Sequence, residues 1–305
     1  MYFTFLGTGA GVPAKLRNTA SMVLTMPEYQ GDAWMFDCGE ATQHQILHTS
    51  VKLSKIKKIF ITHLHGDHIY GLPGVLGSRS FQGGDDQLTV FGPKGIKDFI
   101  EMSLSISSTY LKYPLEIIEI DEDGVIYEDK YFKVSAKELE HGITCYGYRI
   151  EEKDQPGTLL VDRLKAEGIM PGPIYREFKE KAAVTLPNGR TLNSSDYIGP
   201  DKKGRKIAVL GDTRICQAAV DLAEGVDVLI HESTFSHGME EKAYDYFHST
   251  SSQAAQTAKA ANAAALILTH ISSRFQEDDH LLLEEAREIF SPVYLAKDFW
   301  TYKID

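Results

Sequence analysis

The sequence predicts a mixed α/β (α+β) fold in which two sheets form the inner layers and helices lie outside. Three observations carry this. Short apolar runs rich in β-branched and aromatic residues recur along the chain, helical stretches separate several of them, and polar side chains stand where the runs end. The apolar runs, at residues 2–6, 33–37, 58–62, 88–91, 131–136, 207–210, 226–230, 265–269 and 293–296, have the length and composition of strands. Helices are predicted at 95–105, 252–263 and 281–290. Ser251 or Ser252 is the expected cap of the alanine-rich helix, without a Glu or Gln three residues after Ser251 to close a capping box. No internal repeat is present.

The 305 residues can hold one large domain or two small ones with an ample core, and a single domain spanning 1–305 with an inserted arm is the expectation. A net charge of −11 argues against a protein that coats nucleic acid indiscriminately. It leaves room for a nuclease with carboxylate ligands and a local basic patch. The odd, widely spaced set Cys38, Cys145 and Cys216 fits a reducing cytosol rather than a disulfide framework. The first residues lack the basic start and long apolar core of a signal peptide. No run reaches the roughly 20 apolar residues of a membrane span. A cytoplasmic protein with no membrane partner is the expectation.

Residues 151–197 depart from this pattern. Gln155-Pro156-Gly157, Met170-Pro171-Gly172-Pro173 and Pro187-Asn188-Gly189-Arg190 cut the segment into a short helix at 161–167, an elbow, and a Lys/Glu-rich stretch at 174–181. It reads as an inserted arm whose acidic residues nearly cancel Arg163, Lys165, Arg176, Lys179 and Lys181.

The chemistry is concentrated in Phe60-Ile61-Thr62-His63-Leu64-His65-Gly66-Asp67-His68, four potential metal ligands within six residues at the end of an apolar strand. His63 and His65 alternate on an extended backbone and can converge on one point; Asp67 and His68, beyond the turn at Gly66, can face a second. Imidazole and carboxylate donors suit zinc, and manganese or cobalt share such ligands. Without a cation the cluster would suffer like-charge repulsion or desolvation. So dense a run suggests two metals and hydrolysis of a charged ester or an amide. Further polar groups stand at other strand ends: Asp212 after 207–210, His231-Glu232 after 226–230, His270 after 265–269, and His141 before Gly142. They can meet along one sheet edge. Gly7-Thr8-Gly9-Ala10-Gly11 reads as a tight turn, since it lacks the helix and lysine of a phosphate-binding loop. In Pro13-Ala14-Lys15-Leu16-Arg17-Asn18 the cations are candidates for phosphate contacts, and so is the run Lys202-Lys203-Gly204-Arg205-Lys206.

These motifs together resemble the metallo-β-lactamase superfamily and, within it, the ribonuclease Z family. Thr62 to His68 resembles the superfamily signature, and His141, Asp212 and His270 follow in order. Pro13 to Asn18 resembles the family's P-x-K-x-R-N loop, His231-Glu232-Ser233-Thr234 its H-E-A-T loop with serine for alanine, and His248-Ser249-Thr250 its H-S-T loop. The arm with Gly172 and Pro173 resembles its flexible exosite. The resemblance implies a four-layer αβ/βα sandwich with a protruding arm, and cleavage of the 3′ trailer from precursor tRNA by attack of a metal-bridging hydroxide. It implies two zinc ions per subunit, one on His63, His65 and His141 and the other on Asp67, His68 and His270, with Asp212 between them. Asp67 would accept the water's proton. His248, supported by Glu232, would protonate the leaving oxygen, and His231 would orient a ligand. Lys15, Arg17, Asn18, Gly172 and Pro173 would bind substrate, in a homodimer, with no DNA partner expected. The alternatives are another hydrolase of this fold, such as a small-substrate phosphodiesterase, or a non-catalytic metal-binding scaffold that docks RNA.

Overall fold

The computed structural model describes residues 1–305. Its strands are β1 (Tyr2–Gly7), β2 (Ser21–Met26), β3 (Asp32–Phe36), β4 (Ile56–Phe60), β5 (Leu88–Pro93), β6 (Leu115–Ile120), β7 (Gly124–Glu128), β8 (Phe132–Leu139), β9 (Cys145–Glu152), β10 (Ala183–Thr185), β11 (Thr191–Asn193), β12 (Lys206–Val209), β13 (Val228–Glu232), β14 (Leu266–Thr269), β15 (Val293–Leu295) and β16 (Thr301–Lys303). The helices are α1 (Thr42–Ile46), α2 (Gly66–Ile69), α3 (Leu72–Phe81), α4 (Ile96–Ile106), α5 (Val161–Ala166), α6 (Ile174–Glu180), α7 (Gln217–Leu222), α8 (Glu240–Asp245), α9 (Ser251–Ala260) and α10 (His280–Arg287).

Two seven-stranded sheets result, ordered β16-β1-β2-β3-β4-β5-β6 and β15-β14-β13-β12-β9-β8-β7. In the first, β1–β2–β3 is antiparallel and β3–β4–β5–β6 parallel; in the second, β12 to β15 are parallel. Side-chain alternation divides each strand's work. On the first sheet Ala33, Met35, Ile59 and Val90 face the core shared with α3 and α4. Phe36, Phe60 and Phe91 face the other way: Phe60 stacks on Phe36 and Phe91 at 5.1 and 5.0 Å and meets Tyr148 of β9 in the second sheet at 5.3 Å. Outside the second sheet, Ala254, Ala255 and Ala258 bring α9 close to Leu229, Leu266 and Leu268. The result is the expected layering of helix, sheet, sheet and helix.

The expected strands and helices are present with ends moved by a few residues. Several elements escaped notice, among them β2, β6, β9 and α3. In β9 the run is broken by Gly147, where a Cβ would stand 2.6 Å from Leu222 Cδ2. The cap of α9 is Thr250 rather than Ser251 or Ser252. Its hydroxyl accepts from the Gln253 amide while the Gln253 side chain accepts from the Thr250 amide, so a capping box does close.

The chain forms two compact units. The second comprises 129–133 and 151–205. It has its own core of Leu159, Leu164, Ile169, Phe178, Val184, Leu186, Leu192 and Tyr197. Asn188-Gly189 forms the turn of the β10–β11 hairpin, with Gly189 at φ 83°. A bridge between Gln155 and Lys202 and the ion pair of Arg205 with Glu152 extend the unit to residue 205. Its charges are largely paired: Arg176 with Glu180, Lys181 with Glu177, Arg190 with Glu167 and Lys203 with Asp154. Gly172 and Pro173 are exposed between α5 and α6. No helix of the chain is long and apolar enough to cross a membrane.

Candidate metal centre and catalytic residues

Beyond β4 the chain stays non-helical through His65 (φ −64°, ψ 149°), and Gly66 opens α2. A Cβ at Gly66 would lie 2.2 Å from the ring of the exposed Tyr70, so the Tyr70 side chain packs over the start of the helix where glycine leaves room for it. This turn sends His63 and His65 to one side of the cluster and Asp67 and His68 to the other. His63, His65 and His141 offer ligand atoms within 4.8 Å of one another, as do Asp67, His68 and His270. Asp212, from the end of β12, lies between: its Oδ2 is 3.8 Å from His63 Nε2, 3.5 Å from His68 Nε2 and 3.3 Å from His270 Nε2. The nitrogens crowd one another, His68 Nε2 to His270 Nε2 at 3.3 Å and His141 Nε2 to His65 Nδ1 at 3.2 Å.

Several rings are held from behind. His68 Nδ1 contacts Asp37 Oδ2 at 2.8 Å, and Asp37 also accepts from the amide and hydroxyl of Thr62. His63 Nδ1 contacts Thr62 Oγ1 at 3.0 Å, His270 Nδ1 contacts Thr234 Oγ1 at 3.0 Å, and His141 Nδ1 donates to the Phe247 carbonyl at 3.0 Å. Such partners aim the other nitrogen and select its tautomer. Asp37 and His270 adopt left-handed backbones (φ 54° and 55°), a strained conformation for both that turns their side chains into the cluster.

The centre fits a divalent cation on its own geometry. His63 Nε2 is buried with no hydrogen-bond partner, although it points at Asp212. Burial and the neighbouring His68 hold His63 well below the ordinary histidine range. His68 is driven the opposite way: Asp212 and Asp37 outweigh burial and raise it well above that range. Burial opposes ionisation of Asp212, but His270 and His68 keep its carboxyl well below the usual carboxylate range. Ionised carboxylates facing a ring that burial keeps neutral are a donor set for zinc or a similar first-row metal.

At the edge of the cluster His248 Nδ1 meets Glu232 Oε1 at 2.8 Å. Glu232 is buried and also accepts from the amides of Thr213, Thr234 and Ser249 and from the Thr234 hydroxyl. Burial opposes its charge, but His248 holds its pKa below the usual value. Burial likewise opposes protonation of His248, yet Glu232 and Asp212 raise it to about 9. His248 and members of both ligand groups line a cleft of about 230 Å³ with Gly11, Phe235 and Tyr246.

Some expected roles change. Arg17 is 4% exposed, and its guanidinium is taken up by Thr8 Oγ1, the Ala296 carbonyl and Asp279. Asn18 is buried and donates its side-chain amide to the Glu40 carbonyl. Neither is the exposed phosphate contact expected; of that loop only Lys15 offers an exposed cation. His231 meets none of the candidate ligand rings by a hydrogen bond: its Nδ1 contacts the Glu232 carbonyl and its buried Nε2 has no partner. Asp37 and Thr234 do the orienting instead. Asp37 could have been noticed as a carboxylate ending β3, and Thr234 as the last residue of the His231–Thr234 motif.

Comparison with known proteins follows this geometry. A sequence profile described as "Anti-Pycsar protein Apyc1" matches residues 1–147, and one described as "Beta-lactamase superfamily domain" matches residues 181–271. The chain is 60% identical to proteins named Ribonuclease Z from Bacillus thuringiensis (strain Al Hakam) and Bacillus anthracis, each covered completely along with this chain. The crystal structure of human tRNase Z, short form, superposes with a TM-score of 0.73 at 32% identity, covering 100% of both chains. The metallo-beta-lactamase fold protein YhfI from Bacillus subtilis shares the fold, with a TM-score of 0.68 at 19% identity over 99% of this chain and 98% of its own. With identity this high along both full lengths, the chain belongs to the ribonuclease Z family.

Proposed function

We propose that the protein is an endoribonuclease that cleaves the 3′ trailer from precursor tRNA, leaving a 3′-hydroxyl on the tRNA and a 5′-phosphate on the trailer. Family membership supports the substrate. The observation that carries the chemistry is one cleft joining two potential ligand groups to the His248–Glu232 pair. His63, His65 and His141 would hold one zinc ion and Asp67, His68 and His270 a second, with Asp212 shared. Metals held there would supply positive charge for the phosphoryl oxygens and lower the pKa of water.

The remaining steps belong to the chain's own side chains. Burial opposes ionisation of Asp67 but His270 and His68 prevail, leaving a carboxylate, a weak base, that orients the attacking water and takes its proton. Glu232 occupies His248 Nδ1, which leaves Nε2 to protonate the departing ribose oxygen, a poor leaving group otherwise. Lys15, the exposed cation of its loop, provides a phosphate contact, and the second unit, with its Gly172-Pro173 elbow, holds the body of the tRNA. A cytoplasmic homodimer, in which each subunit's second unit serves the partner's cleft, completes the reading.

The test is cleavage of a 3′-extended tRNA by zinc-loaded and chelated protein, with both new ends mapped. A zinc-restored cut at the trailer junction with the stated ends supports the proposal. Hydrolysis of small phosphodiesters alone would assign the cleft to a different substrate. Gel filtration at twice the monomer mass is expected for the dimer.

A further inference from the structure

We infer that Arg17 is a positioning residue: it locks residues 9–18 against the C-terminal segment so that the Gly11 amide holds Asp67, and it makes no contact with RNA. The inference rests on the proposed function for its substrate and on geometry for the rest. Arg17 Nη1 donates to Thr8 Oγ1 at 2.6 Å and to the Ala296 carbonyl at 2.7 Å, and Nη2 pairs with Asp279 Oδ2 at 2.6 Å. Thr8 Oγ1 in turn donates to Asp298 Oδ1 at 2.7 Å, and Asp298 Oδ2 accepts the Asn18 amide at 2.7 Å. Inside the loop, the Gly9 amide bonds the Asn18 carbonyl and the Ala14 amide bonds the Arg17 carbonyl. The free end of this frame is Gly11, whose amide donates to Asp67 Oδ2 at 2.8 Å.

A phosphate could reach Arg17, which is 4% exposed, only by breaking its ion pair with Asp279 and its bonds to Thr8 and Ala296, an unfavourable exchange although Lys297 would still pair with Asp279. Lysine cannot replace the residue, because one ammonium cannot span three acceptors that a planar fork reaches together. The effect of Arg17 therefore passes through the loop to the carboxylate that faces the cleft, whatever substrate is present.

The variants Arg17→Lys, Asp279→Asn, their combination, and Lys15→Ala test this. Two readouts are needed: affinity of the metal-free protein for precursor tRNA across a salt series, and kcat and KM of the zinc-loaded protein on precursor tRNA and bis-p-nitrophenyl phosphate. R17K and D279N are each expected to lower kcat about tenfold on both substrates, as loss of an orienting contact does. The double variant should be no worse than R17K, because Asp279 acts on the loop through Arg17. Neither should change the slope of log affinity against log salt, whereas K15A should reduce it by about one phosphate's worth. The inference is overturned if R17K lowers that slope while the small diester is hydrolysed normally, or if D279N is silent where R17K is not. D279N is nearly isosteric and serves should R17K fail to fold. If the wild type hydrolyses the diester but leaves precursor tRNA uncut, the functional proposal falls, while the diester kcat still decides the role of Arg17.

Discussion

The two compact units of this chain treat charge in opposite ways. In the larger one, Asp212 is 4% exposed and His63 is fully buried, and histidines crowd together with nitrogens 3.2 and 3.3 Å apart. Desolvation and like-charge repulsion both act against that cluster. In the smaller unit, acids and bases cancel pairwise on the surface, above a core of Leu164, Phe178 and Tyr197. Exposed pairs of this kind contribute little to stability and exchange readily for other partners. The contrast teaches where each task can reside. Under the proposed function, the buried, conflicting charges would be the metal centre, and the loosely paired surface charges would belong to the module that grips the tRNA.

The largest effect should come from the shared carboxylate. Asp212→Ala is expected to abolish detectable cleavage and to lose bound zinc, measured by elemental analysis of the purified protein. Full metal content with normal turnover would break the contrast outright.

His248 comes next. His248→Ala should lower kcat by about 10²–10⁴ while metal content holds, the range for loss of a general acid. The pH profile sharpens this. Because His248 acts protonated and its pKa is raised to about 9, kcat should be sustained below that value and fall as pH rises through it. Removing the neighbouring charge with Glu232→Gln should move that limb downward, and an unmoved limb would assign it to another group.

Excision of the second unit should have a smaller and more selective effect. The Glu152 amide bonds the Arg205 carbonyl at 2.8 Å, so residues 154–204 can be replaced by a short glycine linker. A cut ending at residue 181 would instead leave half of the small core exposed. The excised protein should show a KM for precursor tRNA raised about tenfold or more, equivalent to one ~1.4 kcal/mol contact, with unchanged turnover of a small phosphodiester. Loss of both activities would give the unit a structural role. The mildest test is Phe178→Ala, expected to destabilise the second unit by about 3–5 kcal/mol and to leave the unfolding of the larger unit in place.

Most of the centre could be read from the sequence because its ligands follow strands directly: His63, Asp212 and His270 each stand just past an apolar run. Such placement is local information. The orienting partners were not legible, since Asp37 reaches His68 across 31 positions and Thr234 reaches His270 across 36. Arg17 was misread for the same reason, because a cation in a short loop looks exposed until Asp279, 262 positions away, buries it. Among four consecutive hydroxyl residues, Thr250 caps α9 because Phe235 pairs with it and fixes the chain's entry, a tertiary fact. The β10–β11 hairpin was within reach, since Asn188-Gly189 is a strong turn signal that the adjacent Pro187 obscured.

The most direct test of the account is end-mapping of a single precursor tRNA after incubation with zinc-loaded protein, with chelated protein and D212A alongside. The account predicts one cut at the 3′ trailer junction, a 3′-hydroxyl on the tRNA, a 5′-phosphate on the trailer, and no cut in either control. Cleavage that persists in the chelated protein or in D212A, or a zinc-loaded enzyme that leaves the precursor intact, would contradict it.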